Sequence, residues 1–416
     1  MEKIYKAHTK FQFEEQMSNW YLMKGNVKMK VVIAIDSFKG SMSSIEAGES
    51  AAKGVKRVFP DAKTYIRPLA DGGEGTVETL TAGGGGRLIH VNVTGPLGKP
   101  VSCQYGIVDK THTAIIEMSG AAGITLVSES ERNPLHTTTY GVGEVIKDAI
   151  KKGCRHFIVG IGGSATNDGG IGMLQALGFG LLDKDGNEVC FGAEGLKYLD
   201  TITDDNVIPE LSQCTFRIAC DVTNTLCGEQ GCSAIFGPQK GATPTMIMQM
   251  DKWLAYYVKL AKEKYPKANP KHAGAGAAGG LGFAFLTFLN ATLESGIKIV
   301  LEETHLEKYA KDADVVITGE GRLDGQTVMG KAPIGVAKIA KKFNKPVIAF
   351  SGCATKDAIL CNNEGIDAFF PILRGVVTLE DAMNTENAMN NMADTVEQVF
   401  RVIQTFSKEK YTGMEE

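Results

Sequence analysis

Residues 31–58 read VVIAIDSFKGSMSSIEAGESAAKGVKRV, and the two halves of this stretch carry different periods. Val31–Ile35 is an unbroken apolar run, the pattern of a strand covered by helices on both faces of a parallel sheet. Beyond it, Ile45, Gly48, Ala52, Val55 and Val58 share one face at helical spacing, and Ser43 with Glu46 forms a capping box at the start. Similar apolar runs recur at Phe157–Ile161, Phe216–Cys220, Val315–Thr318 and Val347–Phe350, while 173–177 and 333–342 read as helices. This alternation predicts an α/β fold on a parallel sheet.

One region breaks the rhythm. Val101, Cys103, Tyr105 and Ile107 alternate with polar or small residues, the period of a half-buried antiparallel strand. Leu88–Thr94 before it and Ala114–Met118 after it also read as extended, with a turn at Gly95-Pro-Leu-Gly98. A three-stranded meander predicts a second α/β domain with antiparallel strands. The expected division is 29–87 with 295–408 for the first domain and 88–294 for the inserted one, with Gly83–Gly86 as a flexible crossing point. Residues 1–28 read as an N-terminal extension outside the core, because their longest apolar run is too short for an export signal.

Composition excludes several classes. With 44 Lys and Arg against 48 Asp and Glu in 416 residues, the formal charge is −4, which leaves no basic excess for nucleic acid or an anionic membrane. The uncharged stretch 273–293 is rich in Gly and poor in large apolar side chains, so it does not read as a membrane span, and its Gly276–Gly280 GxxxG match reads as fortuitous. None of the nine Cys pairs as CxxC, so reduced thiols and a cytoplasmic location are expected rather than zinc or disulfides.

Acidic residues fall where the strands end. Asp36 and Asp221 directly follow their runs and Glu320 comes just after Val315–Thr318. In open α/β sheets ligands bind at the carboxyl ends of strands, so this set points to a cation or general-base site, although a single Asp also caps helices and makes Asx turns. Gly325–Ala332 matches GxxxxGK but lacks the hydroxyl that would ligate Mg²⁺, which leaves Lys331 as a phosphate contact without a Walker loop. Gly274–Gly279 matches GxGxxG without a strand before it, so helix packing or a helix N-terminus is the better reading. Gly160-Ile-Gly-Gly-Ser-Ala-Thr-Asn-Asp-Gly-Gly170 does follow a strand and joins Gly-rich backbone to two hydroxyls, an amide and a carboxylate, which suits an oxyanion and a metal or polar ligand. Asp36-Ser-Phe-Lys39-Gly40 and Asp71-Gly-Gly-Glu74 each place charge before a probable helix start. Such parts serve phosphoryl transfer, which rests on positioning and charge neutralisation.

In order along the chain, Asp36–Gly40, Ala70–Gly75, Thr94–Gly98, Asn133–Gly141, Gly160–Gly170, Ala219–Val222, Phe236–Ala242, Gly274–Gly280 and Thr318–Gly321 with Asp324 and Gln326 resemble the type 1 bacterial glycerate kinases. The likeness covers about residues 29 to 405, and Thr225 departs from it where Pro is usual. The resemblance implies a discontinuous Rossmann-like domain with an inserted α/β domain, an active site in the cleft between them, and transfer from ATP with Mg²⁺ to the 2-hydroxyl of D-glycerate. The other readings are a 3-kinase or a kinase of a related hydroxy acid, a non-catalytic sensor, and a dinucleotide-dependent oxidoreductase.

On that footing Asp168, or else Asp36, is expected to accept the hydroxyl proton, and Lys39 with its helix start to hold an anion. Asp71, Asp221 and Glu320 are the expected Mg²⁺ candidates. Arg322 and Lys240 are expected to neutralise the transferring group, and Ser164, Thr166 and Asn167 to orient substrate or phosphate.

Overall fold

The computed structural model describes residues 28–70, 73 and 75–408. Its strands are β1 (Lys30–Ile35), β2 (Lys63–Ile66), β3 (Arg87–Thr94), β4 (Pro100–Val108), β5 (Thr113–Glu117), β6 (His156–Gly160) and β7 (Gly180–Leu182). They continue as β8 (Thr201–Thr203), β9 (Thr215–Ala219), β10 (Thr292–Glu294), β11 (Val315–Leu323), β12 (Val347–Ala354) and β13 (Ala368–Pro371). The chain divides into two compact units, one taking residues up to Arg67 and from Glu307 onward, the other Pro68–Leu306.

The first unit holds a parallel sheet in the order β13-β12-β11-β1-β2. The chain steps outward from β1 to β2, returns at β11 on the other side of β1, and moves outward again. Val31, Ile33 and Ile35 are buried against the helices Ser44–Val58 and Thr385–Lys408. The capping box is present. Ser43 accepts from the Glu46 N–H at 3.2 Å, and the Glu46 carboxylate accepts from the Ser43 N–H at 2.8 Å. The buried face of the first helix holds Gly48, Ala52, Val55 and Val58 as expected and widens to Ala47 and Ala51, while Ile45 at its start is only partly buried. Gly54 lies where a Cβ would strike the Ala393 carbonyl and Val396, so the two helices approach at backbone distance.

The second unit holds a six-stranded sheet in the order β10-β9-β6-β5-β4-β3, in which β3, β4 and β5 form the antiparallel meander and β5, β6, β9 and β10 run parallel. The Gly95–Gly98 turn closes through Gly95 N–H to Lys99 O at 2.7 Å, with Gly98 at φ +75°. Cys103, Tyr105 and Ile107 point into a core shared with Val142, Val145 and Ile146 of the helix Tyr140–Lys151.

Residues 68–87 and 295–306 belong to this second unit. The helix Thr76–Gly83 is tied to the end of β5 by Val77 N–H to Glu117 Oε1 at 2.9 Å. The helix Gly296–Glu303 follows β10 directly. Gly83–Gly86 is accordingly a tight turn inside the unit, closed by Gly86 N–H to Thr81 O at 2.8 Å. Among the described residues, no helix is long and apolar enough to cross a membrane.

Candidate active site

In the second unit, β6 and β9 end side by side, and a cavity of about 390 Å³ opens at their carboxyl ends. Its wall includes Ile124, Gly162, Gly163, Ser164, Asp221 and Lys240. The Gly-rich turn after β6 is pinned from behind: Ile124 N–H donates to Gly163 O at 2.8 Å, Ala165 N–H to Ala122 O at 2.9 Å, and the Thr137 hydroxyl to Ala165 O at 2.9 Å. Gly163 takes a left-handed φ of +72°, and a Cβ at Gly162 would meet nothing within 4 Å. The N–H groups of Gly162, Gly163 and Ser164 find no acceptor among the described residues. Successive donors on a concave turn form a ready anion cradle. The Gly274–Gly280 stretch borders the same cavity as packing. Ala277 and Ala278 reach its wall, and Ala278, Gly279 and Gly280 are all left-handed, so the close approach of Gly279 to the Thr166 carbonyl leaves no room for a side chain.

Lys240 sits in the turn Pro238–Lys240 and is only 2% exposed. Its ammonium donates to Ser164 Oγ at 2.7 Å and to Thr166 O at 2.6 Å. Burial pulls its pKa down to about 8, against the opposing pull of Cys232 and Asp168. The charge that the sequence reading aimed at a phosphate is thus directed into the wall of the cavity. Asp221 follows β9, lines the cavity, and accepts from the Gly296 N–H at 3.1 Å.

The three residues that follow Ala165 lie behind the wall. Asp168 is fully buried, and its oxygens accept from Thr139 N–H and Thr139 Oγ1, each at 2.8 Å, and from Gly170 N–H at 3.0 Å. Burial raises its pKa while these donors pull it down. Asn167 donates to Ser233 Oγ at 2.8 Å, and both its Oδ1 and Thr166 Oγ1 are buried without a partner among the described residues. With both oxygens engaged and no exposure, the Asp168 carboxylate has the geometry of a strut joining the Gly-rich turn to the start of the helix Tyr140–Lys151. Thr139, the partner that reveals this, lies in the motif Asn133–Gly141. Its only signal was a run of three Thr just before a helix.

The first unit gathers a different set. The carboxyl ends of β1 and β11 flank the point where the strand order reverses, the usual ligand position in such sheets. Here β11 does not stop at Thr318 but runs on to Leu323, paired with β12 through Arg322 and Cys353, so Glu320 and Arg322 lie within a strand. Their polar and glycine neighbours mimic a strand end. Register places Asp36, Thr318, Glu320 and Ser351 on one face, and the Thr318 and Ser351 hydroxyls are buried without a partner among the described residues. Glu320 accepts from the Thr327 hydroxyl at 2.7 Å and lies 3.8 Å from Lys331, which is also 3.9 Å from Asp324. Burial pushes the Glu320 pKa up, helped by Asp36 and Asp324 and opposed by Thr327 and Lys331. Arg322 is largely exposed, 3.4 Å from Asp324.

Lys39 lies exposed on the tight turn Phe38–Met42, and the helix start beyond it already holds the Glu46 carboxylate. Of the expected metal candidates, Asp221 belongs to the second unit, Glu320 to the first, and Asp71 lies outside the described residues. Among the described residues, no three His, Cys, Asp or Glu side chains converge as a metal cage. Asp324, part of the motif that follows Gly321, is the carboxylate that joins Glu320 and Lys331.

The glycerate kinase family model matches residues 31–404. The chain is 50% identical to a glycerate kinase of Haemophilus influenzae, over 90% of this chain and 99% of that one. It is 47% identical to the glycerate 2-kinase of Escherichia coli K12, over 88% and 98% of the two chains. A crystal structure from Salmonella typhimurium LT2, provisionally assigned as glycerate kinase 2, superposes with a TM-score of 0.84 at 46% identity, covering 91% of this chain and 99% of that one. The chain belongs to the glycerate kinase family. It is a phosphotransferase whose reaction is the ATP-dependent phosphorylation of glycerate.

Proposed function

We propose that the protein transfers the γ-phosphoryl group of MgATP to the 2-hydroxyl of D-glycerate, giving 2-phosphoglycerate and ADP, and that the cavity of the second unit holds the acid. The observation that carries this reading is the row of open N–H donors at Gly162–Ser164 with the Lys240 ammonium behind it. A carboxylate fits such a cradle, and the carbon that bears the 2-hydroxyl is bonded to it directly. The E. coli relative named a 2-kinase supports the same position.

Asp221 is the carboxylate on the cavity wall, and in this reading it takes the place expected of Asp168. The 2-hydroxyl oxygen forms a bond to the γ-phosphorus, the bond between that phosphorus and the β,γ-bridging oxygen breaks, ADP carries away the electron pair, and Asp221 accepts the hydroxyl proton. Asp36, Glu320 and Asp324, with Lys331, Arg322 and Lys39, are the proposed nucleotide side. Hard carboxylate oxygens suit Mg²⁺ that arrives on the phosphates and keeps much of its water. That ion would supply charge neutralisation to the γ-phosphate. Nine free thiols fit a reducing cytoplasm.

The test is to incubate the protein with MgATP and D-glycerate and identify the product by phosphorus NMR. A single 2-phosphoglycerate resonance is expected, with kcat falling by about 10²-fold or more in Asp221→Asn. A 3-phosphate product overturns the regiochemistry, and an unchanged Asp221→Asn rate overturns the base.

A further inference from the structure

We infer that Lys240 acts on the acceptor through Ser164, fixing the Ser164 hydroxyl as a donor aimed into the cavity and so making Ser164 the residue that selects an anionic end group. This rests on the cavity being the acceptor site. An ammonium can only donate, so at 2.7 Å the Ser164 oxygen must be the acceptor. Its own O–H then has to point elsewhere, and among the described residues it has no acceptor, although the residue is only 6% exposed and lines the cavity.

A serine hydroxyl ordinarily rotates to give or to accept, and would tolerate an alcohol, an amide or an acid. Here rotation is removed. The second Lys240 bond, to Thr166 O at 2.6 Å, holds the ammonium in place and leaves it little freedom to swing toward the ligand. The hydroxyl thus joins the Gly162, Gly163 and Ser164 N–H groups as a fourth donor on one wall, an array that leaves an amide N–H₂ or an alcohol O–H of a ligand without an acceptor there. Lys240 is a positioning residue, and Ser164 is the group that meets the carboxylate.

The test is a double-mutant cycle with Ser164→Ala and Lys240→Met, reading KM for glycerate, KM for ATP and kcat, together with turnover of glyceramide. Loss of one charge-assisted hydrogen bond raises KM for glycerate about tenfold in Ser164→Ala, with KM for ATP within about twofold. Lys240→Met raises KM for glycerate by at least as much, and the double variant is no worse than Lys240→Met alone, because the lysine acts through the serine. Discrimination against glyceramide narrows in all three. Effects that multiply in the double variant would mean that Lys240 touches the substrate itself and would overturn the inference. So would a Lys240→Met enzyme in which both KM values and kcat shift together. Should Lys240→Met fail to fold, Ser164→Ala decides alone, and an unchanged KM for glycerate with unchanged glyceramide discrimination refutes the assignment. A wild-type enzyme inactive on glycerate would instead sink the underlying reading of the cavity, which separates the two failures.

Discussion

Substituting Asp168 by Asn separates a structural carboxylate from a catalytic one. In the native protein Asp168 Oδ2 accepts two hydrogen bonds, from Thr139 N–H and the Thr139 hydroxyl, and Oδ1 accepts one from Gly170 N–H. An amide offers one acceptor oxygen and one N–H₂. If the oxygen faces Thr139, the N–H₂ confronts the Gly170 N–H; if it is flipped, the amide protons confront both Thr139 donors. Either way at least one buried donor loses its partner, at about 1–3 kcal/mol, and a hydrogen bond to a charged group, about 1.5–3 kcal/mol, becomes a neutral one. The sum is about 2–4 kcal/mol. With a urea m-value of about 2–3 kcal/mol/M, the unfolding transition should move down by about 1 M, followed by circular dichroism. The same variant, assayed in urea-free buffer where it is folded, should retain turnover within about tenfold of wild type. A variant with unchanged stability and turnover lost by several orders of magnitude would refute the reasoning and restore Asp168 as the base.

Two further outcomes are expected. Because burial raises the Glu320 pKa, the folded protein keeps a proton that the unfolded chain has released, so this group's contribution to stability is full at acid pH and is lost as pH rises from the ordinary glutamate value through its own. Glu320→Gln should abolish that part of the pH dependence in chemical denaturation, and a variant that keeps the wild-type profile would show the carboxylate unperturbed. Gly54→Ala should lower Tm despite a gain of about 1 kcal/mol in helix propensity, because the added methyl strikes the Ala393 carbonyl and Val396; a raised Tm would mean that the helices part without loss.

The parts of the fold that were legible share a physical cause. Val31–Ile35 and the Ser43–Glu46 box declare themselves locally, through burial on two faces and through a reciprocal pair of hydrogen bonds. The meander was legible because β4 alternates where the parallel strands do not. The end of β11 was hidden, since Gly319, Glu320 and Gly321 look like a loop until β12 pairs with Gly319, Glu320 and Arg322. The cavity was half legible. Its Gly-rich turn announced close backbone approach, but which polar residues face the opening depends on partners far along the chain: Thr139 claims Asp168, and Ser164 claims Lys240. Sequence marks a residue's chemistry, whereas access to solvent is decided by whatever folds over it.

The pairing of β1 with β11, Val31 opposite Val315, has a consequence for biosynthesis. The ribosome releases β1 nearly three hundred residues before its neighbour, while everything the 68–306 unit needs emerges in one continuous run. During translation β1 therefore waits with one hydrogen-bonding edge uncovered, and β2 is the strand available to it until the final quarter of the chain appears. A nascent chain arrested before residue 315 should carry a protease-resistant middle and a vulnerable beginning.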